Sequence, residues 1–180
     1  MAITASDILY KFSVAAAAGN TTAGTAATSL GDQISTTQIT DATLDNLFDV
    51  ITGDENAASD VEYRCFFVHN NHGSLTWENV VVWLSAEVAG GAAAAIAIDN
   101  IAASAIGSAS AQAAAVANEQ TSPGAGAGAF SSPTTKGTGL SIGNLPPGQC
   151  RAIWVRRTAA NTGAVNNDGV TIRCEGDTAA

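Results

Sequence analysis

The sequence predicts an all-β fold: an antiparallel β-sandwich of jelly-roll or Greek-key type, with an extended N-terminal arm. Two observations point there. Apolar runs rich in Val, Phe, Tyr, Trp and Ile recur at Val61–Val68, Val80–Leu84, Gln149–Thr158 and Gly169–Gly176, and these types suit a pleated, half-buried surface. The runs are 5–10 residues long and are separated by turn-forming residues with no clear βαβ alternation, which favours two packed antiparallel sheets.

The stretch from Asp60 to Glu87 is the densest in aromatic residues. Alternate positions put Val61, Tyr63, Cys65 and Phe67 on one face, while Glu62 and Arg64 open the other before Phe66 and Val68 take it over. Such a strand starts half-exposed and ends apolar on both sides, as a central strand does. His69-Asn70-Asn71-His72-Gly73-Ser74 reads as a turn, so the two runs form a hairpin or a sandwich corner.

Upstream, Ile8, Leu9, Tyr10, Phe12 and Val14 make a small apolar cluster, followed by the Ala/Gly/Thr-rich stretch Ala15–Ser29. Together residues 1–29 read as an arm and linker that gain order by docking on the protein's own core or on a neighbour, with the sandwich domain spanning 30–180. A strand is expected near Ile34–Thr40 and a turn or short helix near Leu44–Val50, where Asp41, Asp45 and Asp49 put like charges on one helical face. Gly53–Asp60 reads as a polar loop. Ala92–Ile98 is expected to be a strand because Gly90-Gly91 and Asp99-Asn100 bound it tightly, although an Ala run by itself favours helix. Ala109–Asn118 is equally ambiguous. Pro123–Gly128 is a loop with Phe130, Leu140 and Ile142 as anchors around it, and Leu145-Pro146-Pro147-Gly148 is a turn. In the last strand Val170, Ile172 and Cys174 alternate with Thr171, Arg173 and Glu175, the pattern of a strand solvated on one side.

Composition narrows the function. The formal net charge is −9, with seven basic residues against sixteen acidic ones. A duplex-binding protein shows a basic stripe, so nucleic acid and anionic membranes are poor partners. No apolar run approaches the roughly 20 residues of a membrane span, and no secretion signal is visible. The three cysteines then read as buried thiols of a reducing compartment; a Cys150–Cys174 bridge within the C-terminal pair of strands is conceivable, but the compartment argues against it.

Catalytic chemistry finds no context. There is no GxSxG, and GAGAGAF lacks the Lys-Ser/Thr of a phosphate loop. His69 and His72 lack a nearby third ligand for zinc, which favours a surface-loop role. Asp49, Asp54, Glu55 and Asp60 offer oxygen ligands without the spacing of a calcium loop, so a solvated acidic loop is expected there. Arg156 and Arg157 point to opposite strand faces, with pairing inside their own sheet favoured over a partner. The sequence thus implies no cofactor, no metal and no enzyme.

Four motifs keep their order over about 100 residues, from Gly53 to Thr158: Glu62-Tyr63-Arg64-Cys65, Val82-Trp83, Pro147-Gly148-Gln149 and Trp154-Val155-Arg156-Arg157. Their combination resembles a group of structural proteins of tailed bacteriophages and prophages. The resemblance implies a non-enzymatic virion component, first a capsid decoration (cement) protein on the outer surface of the head, made in the bacterial host cytoplasm. Its partner would be the major capsid protein, and it would act as a homotrimer between capsomers. A tail or head–tail junction protein is the alternative, and a carbohydrate-binding sandwich using Trp77 the second. The expected partner interface comprises Ile8, Leu9, Tyr10 and Phe12 of the arm together with Arg156 and Arg157.

Overall fold

Side-chain alternation along the strand Val61–Asn70 (β3) places Phe66 and Val68 on one face and Cys65 and Phe67 on the other, and all four are buried. A strand with apolar side chains on both faces needs cover on both sides, and the fold supplies it. The protein, a computed structural model describing residues 2–15 and 20–178, is a sandwich of two antiparallel sheets with a third, irregular layer outside.

The larger sheet has the order β2-β1-β3-β8-β5, with the two-residue β6 also on β8. Its strands are Ile8–Val14 (β1), Gln33–Gln38 (β2), β3, Ala93–Ile98 (β5), Ser104–Ala105 (β6) and Gln149–Thr158 (β8). The smaller sheet is Leu140–Leu145 (β7), Trp77–Glu87 (β4) and Val170–Thr178 (β9), in the order β7-β4-β9. Between the sheets lie Phe66, Val68, Ile96, Ile153 and Val155 from one side and Val80, Val82, Leu84, Ile142 and Leu145 from the other. A second core, on the outer face of the large sheet, gathers Ile34, Cys65, Phe67, Ala97 and Trp154 under Ala113 and Ala127. Fully burying each large side chain contributes about 1.5–3 kcal/mol, so both faces of β3 and β8 stabilise the fold.

The outer layer, residues 99–135, contains almost no regular structure and is held by polar pins. Asp99 is fully buried, and its Oδ2 accepts hydrogen bonds from Trp154 Nε1 (2.8 Å) and the Ala114 amide (2.8 Å). Its Oδ1 accepts from the Ile101 amide. Gln112, also buried, accepts from the Ile34 amide through Oε1 and donates from Nε2 to Ser104 Oγ and Ala105 O. Gly31 makes the close approach possible. Its φ is +93°, and a Cβ there would lie 1.8 Å from the Ala114 carbonyl oxygen, which no side chain tolerates.

The expected sandwich is present, and several local expectations change. The Asp60–Glu87 stretch is a corner between the two sheets, since β3 and β4 belong to different ones. Asn70 shapes that corner: Nδ2 donates to Leu75 O and Leu145 O, and Oδ1 accepts from the His72 amide. Gly53–Ala58 is a short helix (α1), because Thr52 and Glu55 cap it reciprocally, an S/T-x-x-E signal present in the sequence. Leu140–Leu145 is a strand where isolated anchors were expected. Ala93–Ile98 is a strand despite its alanines, since it pairs with β8 from Ala93↔Thr158 to Ile98↔Ile153; tertiary pairing overrides helix propensity here.

The largest correction concerns the arm. Ile8–Val14 lies inside the large sheet, paired with β2 on one side and β3 on the other. Extended apolar residues beside an unpaired β3 edge complete the ladder locally, so residues 8–14 need no neighbouring molecule to become ordered. Most of the linker expected at residues 15–29 also packs on the domain: Asn20 N donates to Ile34 O, Thr36 N donates to Thr22 O, and Cys65 N donates to Ser29 O. Residues 16–19 lie outside the described residues.

Deleting residues 1–14 removes an interior strand and exposes one edge of β3. We expect loss of the cooperative thermal transition and of soluble expression. A truncated protein that melts cooperatively within a few degrees of the full chain would overturn this placement of β1.

Candidate functional site

The register of the central ladder determines what stands at one end of the sandwich. Pairing of β3 with β8 sets Glu62 opposite Arg157 and Tyr63 opposite Arg156. Neighbouring residues of a strand point to opposite faces, so Glu62, Arg64 and Arg157 share the inter-sheet side, and Tyr63 and Arg156 the outer side.

On the inter-sheet side Arg157 Nε donates to Glu62 Oε2 at 2.7 Å, and its Nη2 pairs with both Glu62 and Asp49. Arg64 pairs with Glu119, which arrives where β1 has left the edge of β3, the Tyr63 amide donating to Glu119 O. Phe48 lies against both guanidinium groups, 4.8 Å from Arg157 and 6.0 Å from Arg64, in cation–π range. Three carboxylates and two guanidiniums thus converge around one aromatic ring. Burial raises the pKa of Glu62 from its ordinary value, against the opposing hydrogen bond and charge of Arg157.

The carboxylates of Asp49, Glu62 and Glu119 lie within 4.8 Å of one another, the one such convergence among the described residues. Their negative charge is already met by Arg64 and Arg157, so a dication entering there would have to displace guanidinium partners. The loop carboxylates weighed for calcium divide differently: Asp49 joins this clamp, Glu55 caps α1, and Asp60 Oδ1 accepts from the Val61 amide.

The clamp anchors a surface loop. Residues 39–52 connect β2 to α1; Leu47 enters the inter-sheet core, with Ile39 and Phe48 packed against it. With these three turned inward, Leu44 and Val50 are left 66% and 69% exposed. Ala42 and Asp45 adopt positive φ, and Asn46 Nδ2 donates to Thr40 O, so the loop is built of defined turns. Acidic side chains at 41, 45, 49, 54 and 55 surround the two apolar ones in sequence, with no basic residue between 39 and 55.

The residues singled out from sequence fall mainly inside the protein. Ile8 is buried; Leu9, Tyr10 and Phe12 are half-buried, with Tyr10 and Phe12 packed against the inter-sheet core. Arg157 is the centre of the clamp, and Arg156 stacks on Phe130 at 5.4 Å, beside the Tyr63–Phe130 edge contact. Of the six, Ile8 is buried and the other five are partly exposed. His72 Nδ1 accepts the amides of Ser74 and Leu75, organising the turn. His69 is not in the loop: β3 continues through it, and it is 1% exposed. Trp77, Trp83 and Trp154 are all buried, so the glycan platform imagined around Trp77 does not exist.

Compared with family models, curated proteins and solved structures, the chain finds no match. The described residues contain no helix long and apolar enough to cross a membrane.

The cysteines are free. Cys150 lies in the outer core, whereas Cys174 packs against the inter-sheet core, which removes the conceivable bridge. Burial pushes the thiols of Cys150 and Cys174 up to about 12 and that of Cys65 well above its usual value, so none supplies a thiolate nucleophile at neutral pH.

The clamp residues Phe48 and Glu119 and the loop pair Leu44 and Val50 were not legible in advance. Only the Glu62…Arg157 register, implied once two such strands pair, could have hinted at the site.

Two predictions follow from these charges. Replacing Arg157 with Ala leaves Glu62 buried and unpaired, which costs about 3–5 kcal/mol; the drop should be read as a lower urea midpoint with an unchanged slope. For His69, burial and then the nearby Lys11 charge lower the pKa from 6.5 to about 4. Between those values the unfolded chain binds more protons than the folded one, so stability rises with pH and is lost on acidification through that window. Glu62, with its raised pKa, acts in the opposite sense near the low end. The His69→Phe variant should therefore show a flatter melting temperature between pH 6.5 and 4; an unchanged slope would reassign the titration.

Proposed function

We propose that this protein is a capsid decoration protein of a tailed bacteriophage, which attaches to the head through the loop 39–52. The observation that carries the reading is the exposed pair Leu44 and Val50 on a loop held rigid from below by the Arg64–Phe48–Arg157 clamp. A pre-ordered apolar tip loses little conformational freedom when it docks. Its acidic surroundings fit a receiving pocket with a basic rim, for which charge complementarity aids encounter and register.

The resemblance supports the same assignment. The motifs Glu62-Tyr63-Arg64-Cys65 and Trp154-Val155-Arg156-Arg157 sit on the two paired central strands, and Glu62, Arg64 and Arg157 form the clamp itself. In this reading the motif residues make the platform, and the loop above it makes the contact. Attachment between capsomers, as a trimer around a three-fold junction, favours the assembled head because the protein binds only that state. Contact moves from the N-terminal strand, which the protein needs for its own sheet, to the loop. Net acidity suits an outer surface away from packaged DNA.

Cosedimentation tests the proposal with purified protein and undecorated heads, and separately with isolated tails. Saturable binding to heads and a gain in their heat resistance are expected. The double substitution Leu44→Asp and Val50→Asp should weaken head binding at least tenfold and leave the melting temperature within a few degrees, because both side chains are exposed. Binding to tails alone would move the protein to the tail or the head–tail junction. Binding to neither would remove the virion reading.

A further inference from the structure

Lys11 is the one lysine turned into the protein. It lies on β1 and is 8% exposed, yet among the described residues it pairs with no carboxylate. Its Nζ instead donates to the side-chain oxygen of Asn20 at 2.7 Å. Asn20 is held for that contact: its backbone N–H donates to Ile34 O, and its φ of +60° is a conformation that asparagine tolerates. An ammonium buried without a counter-charge is costly, and burial lowers the pKa of Lys11. Once that ammonium gives up a proton, Nζ is a nucleophile held against the carboxamide electrophile of Asn20. Held contact of this kind replaces a bimolecular encounter by a unimolecular step.

We propose that Lys11 and Asn20 join through an intramolecular isopeptide bond formed by the protein itself. After the Lys11 ammonium releases one proton to solvent, Nζ attacks Cγ of Asn20, and the C–N bond forms as the carbonyl electron pair moves onto Oδ1. When that intermediate collapses, the Cγ–Nδ2 bond breaks, one Nζ proton ends on Nδ2, and ammonia leaves. The products are one secondary amide and one ammonia, with no oxidant, reductant or cofactor. The bond replaces the buried charge by a neutral amide and ties β1 to the segment leading into β2.

His69 is positioned to carry the transferred proton. The register Leu9↔His69 and Lys11↔Phe67 places Lys11 and His69 diagonally on one face of the β1–β3 pair, a separation that long side chains bridge. His69 is buried, and both of its ring nitrogens lack a hydrogen-bond partner. A neutral imidazole in that state can accept and return a proton.

The test is the intact mass of the purified full chain under denaturing conditions, followed by peptide mapping. The expected result is a deficit of one ammonia relative to the sequence, together with a branched peptide joining the Lys11 and Asn20 segments and resistant to trypsin at Lys11. The Asn20→Asp variant should form the same link with loss of one water, and Lys11→Met should keep the full sequence mass. His69→Phe should slow the appearance of the link in freshly refolded protein. A full sequence mass after prolonged incubation of the folded protein would overturn the proposal. So would an ammonia deficit without the branched peptide, which marks a succinimide at Asn20 that hydroxylamine opens. Neither outcome bears on the capsid reading, since Lys11 and the docking loop are tested separately.

Discussion

The pairing of β3 with β8 is the constraint on which the rest of this structure depends. The ladder runs without a register shift from Val61↔Thr158 to His69↔Cys150. Both strands carry large apolar side chains on both faces: Phe66 of β3 and Ile153 of β8 on the inter-sheet face, Phe67 and Trp154 on the outer face. Neither can sit at an edge or face water, so each recruits a further strand, β1 beside β3 and β5 beside β8. The small sheet then closes one face and residues 99–135 close the other. The same ladder sets Glu62 against Arg157, so the clamp at one end of the sandwich is a consequence of register.

An irregular segment can cover a sheet only if its backbone polar groups find partners. Here a few buried side chains supply them. Asp99 gathers Trp154 and the amides of Ile101 and Ala114, and Gln112 reaches the Ile34 amide, Ser104 and Ala105. Satisfied networks of this kind specify one arrangement of a layer. They explain how a stretch dominated by Ala, Gly and Ser, with little apolar area to bury, still packs in a defined way.

Charge is distributed less evenly than composition suggests. Of the seven basic residues, Lys11, Arg64, Arg151, Arg156 and Arg157 are buried or half-buried, and all five are engaged by carboxylates, backbone or side-chain carbonyl oxygens, or aromatic rings; a ring also receives Arg64 and Arg157. Lys136 and Arg173 remain exposed, both beside Glu175. Lys136 and Arg173 are thus the exposed basic side chains of the protein.

The sequence by itself determined the class of fold and its central strands. Aromatic and β-branched runs of strand length, bounded by Gly, Pro and Asn, can be satisfied only by packed antiparallel sheets, and β8 begins and ends where the pattern places it. Alternation also separated Arg156 from Arg157. Tertiary structure alone decided the fate of residues 8–14, because whether an apolar strand completes its own sheet or a neighbour's depends on which edge is left open. It likewise made a strand of an alanine run, turned His69 and Lys11 inward, and brought Phe48 between two arginines from a loop that periodicity could not read. Those outcomes depend on contacts between residues far apart in the chain, and local patterns carry no information about which distant segment will supply them.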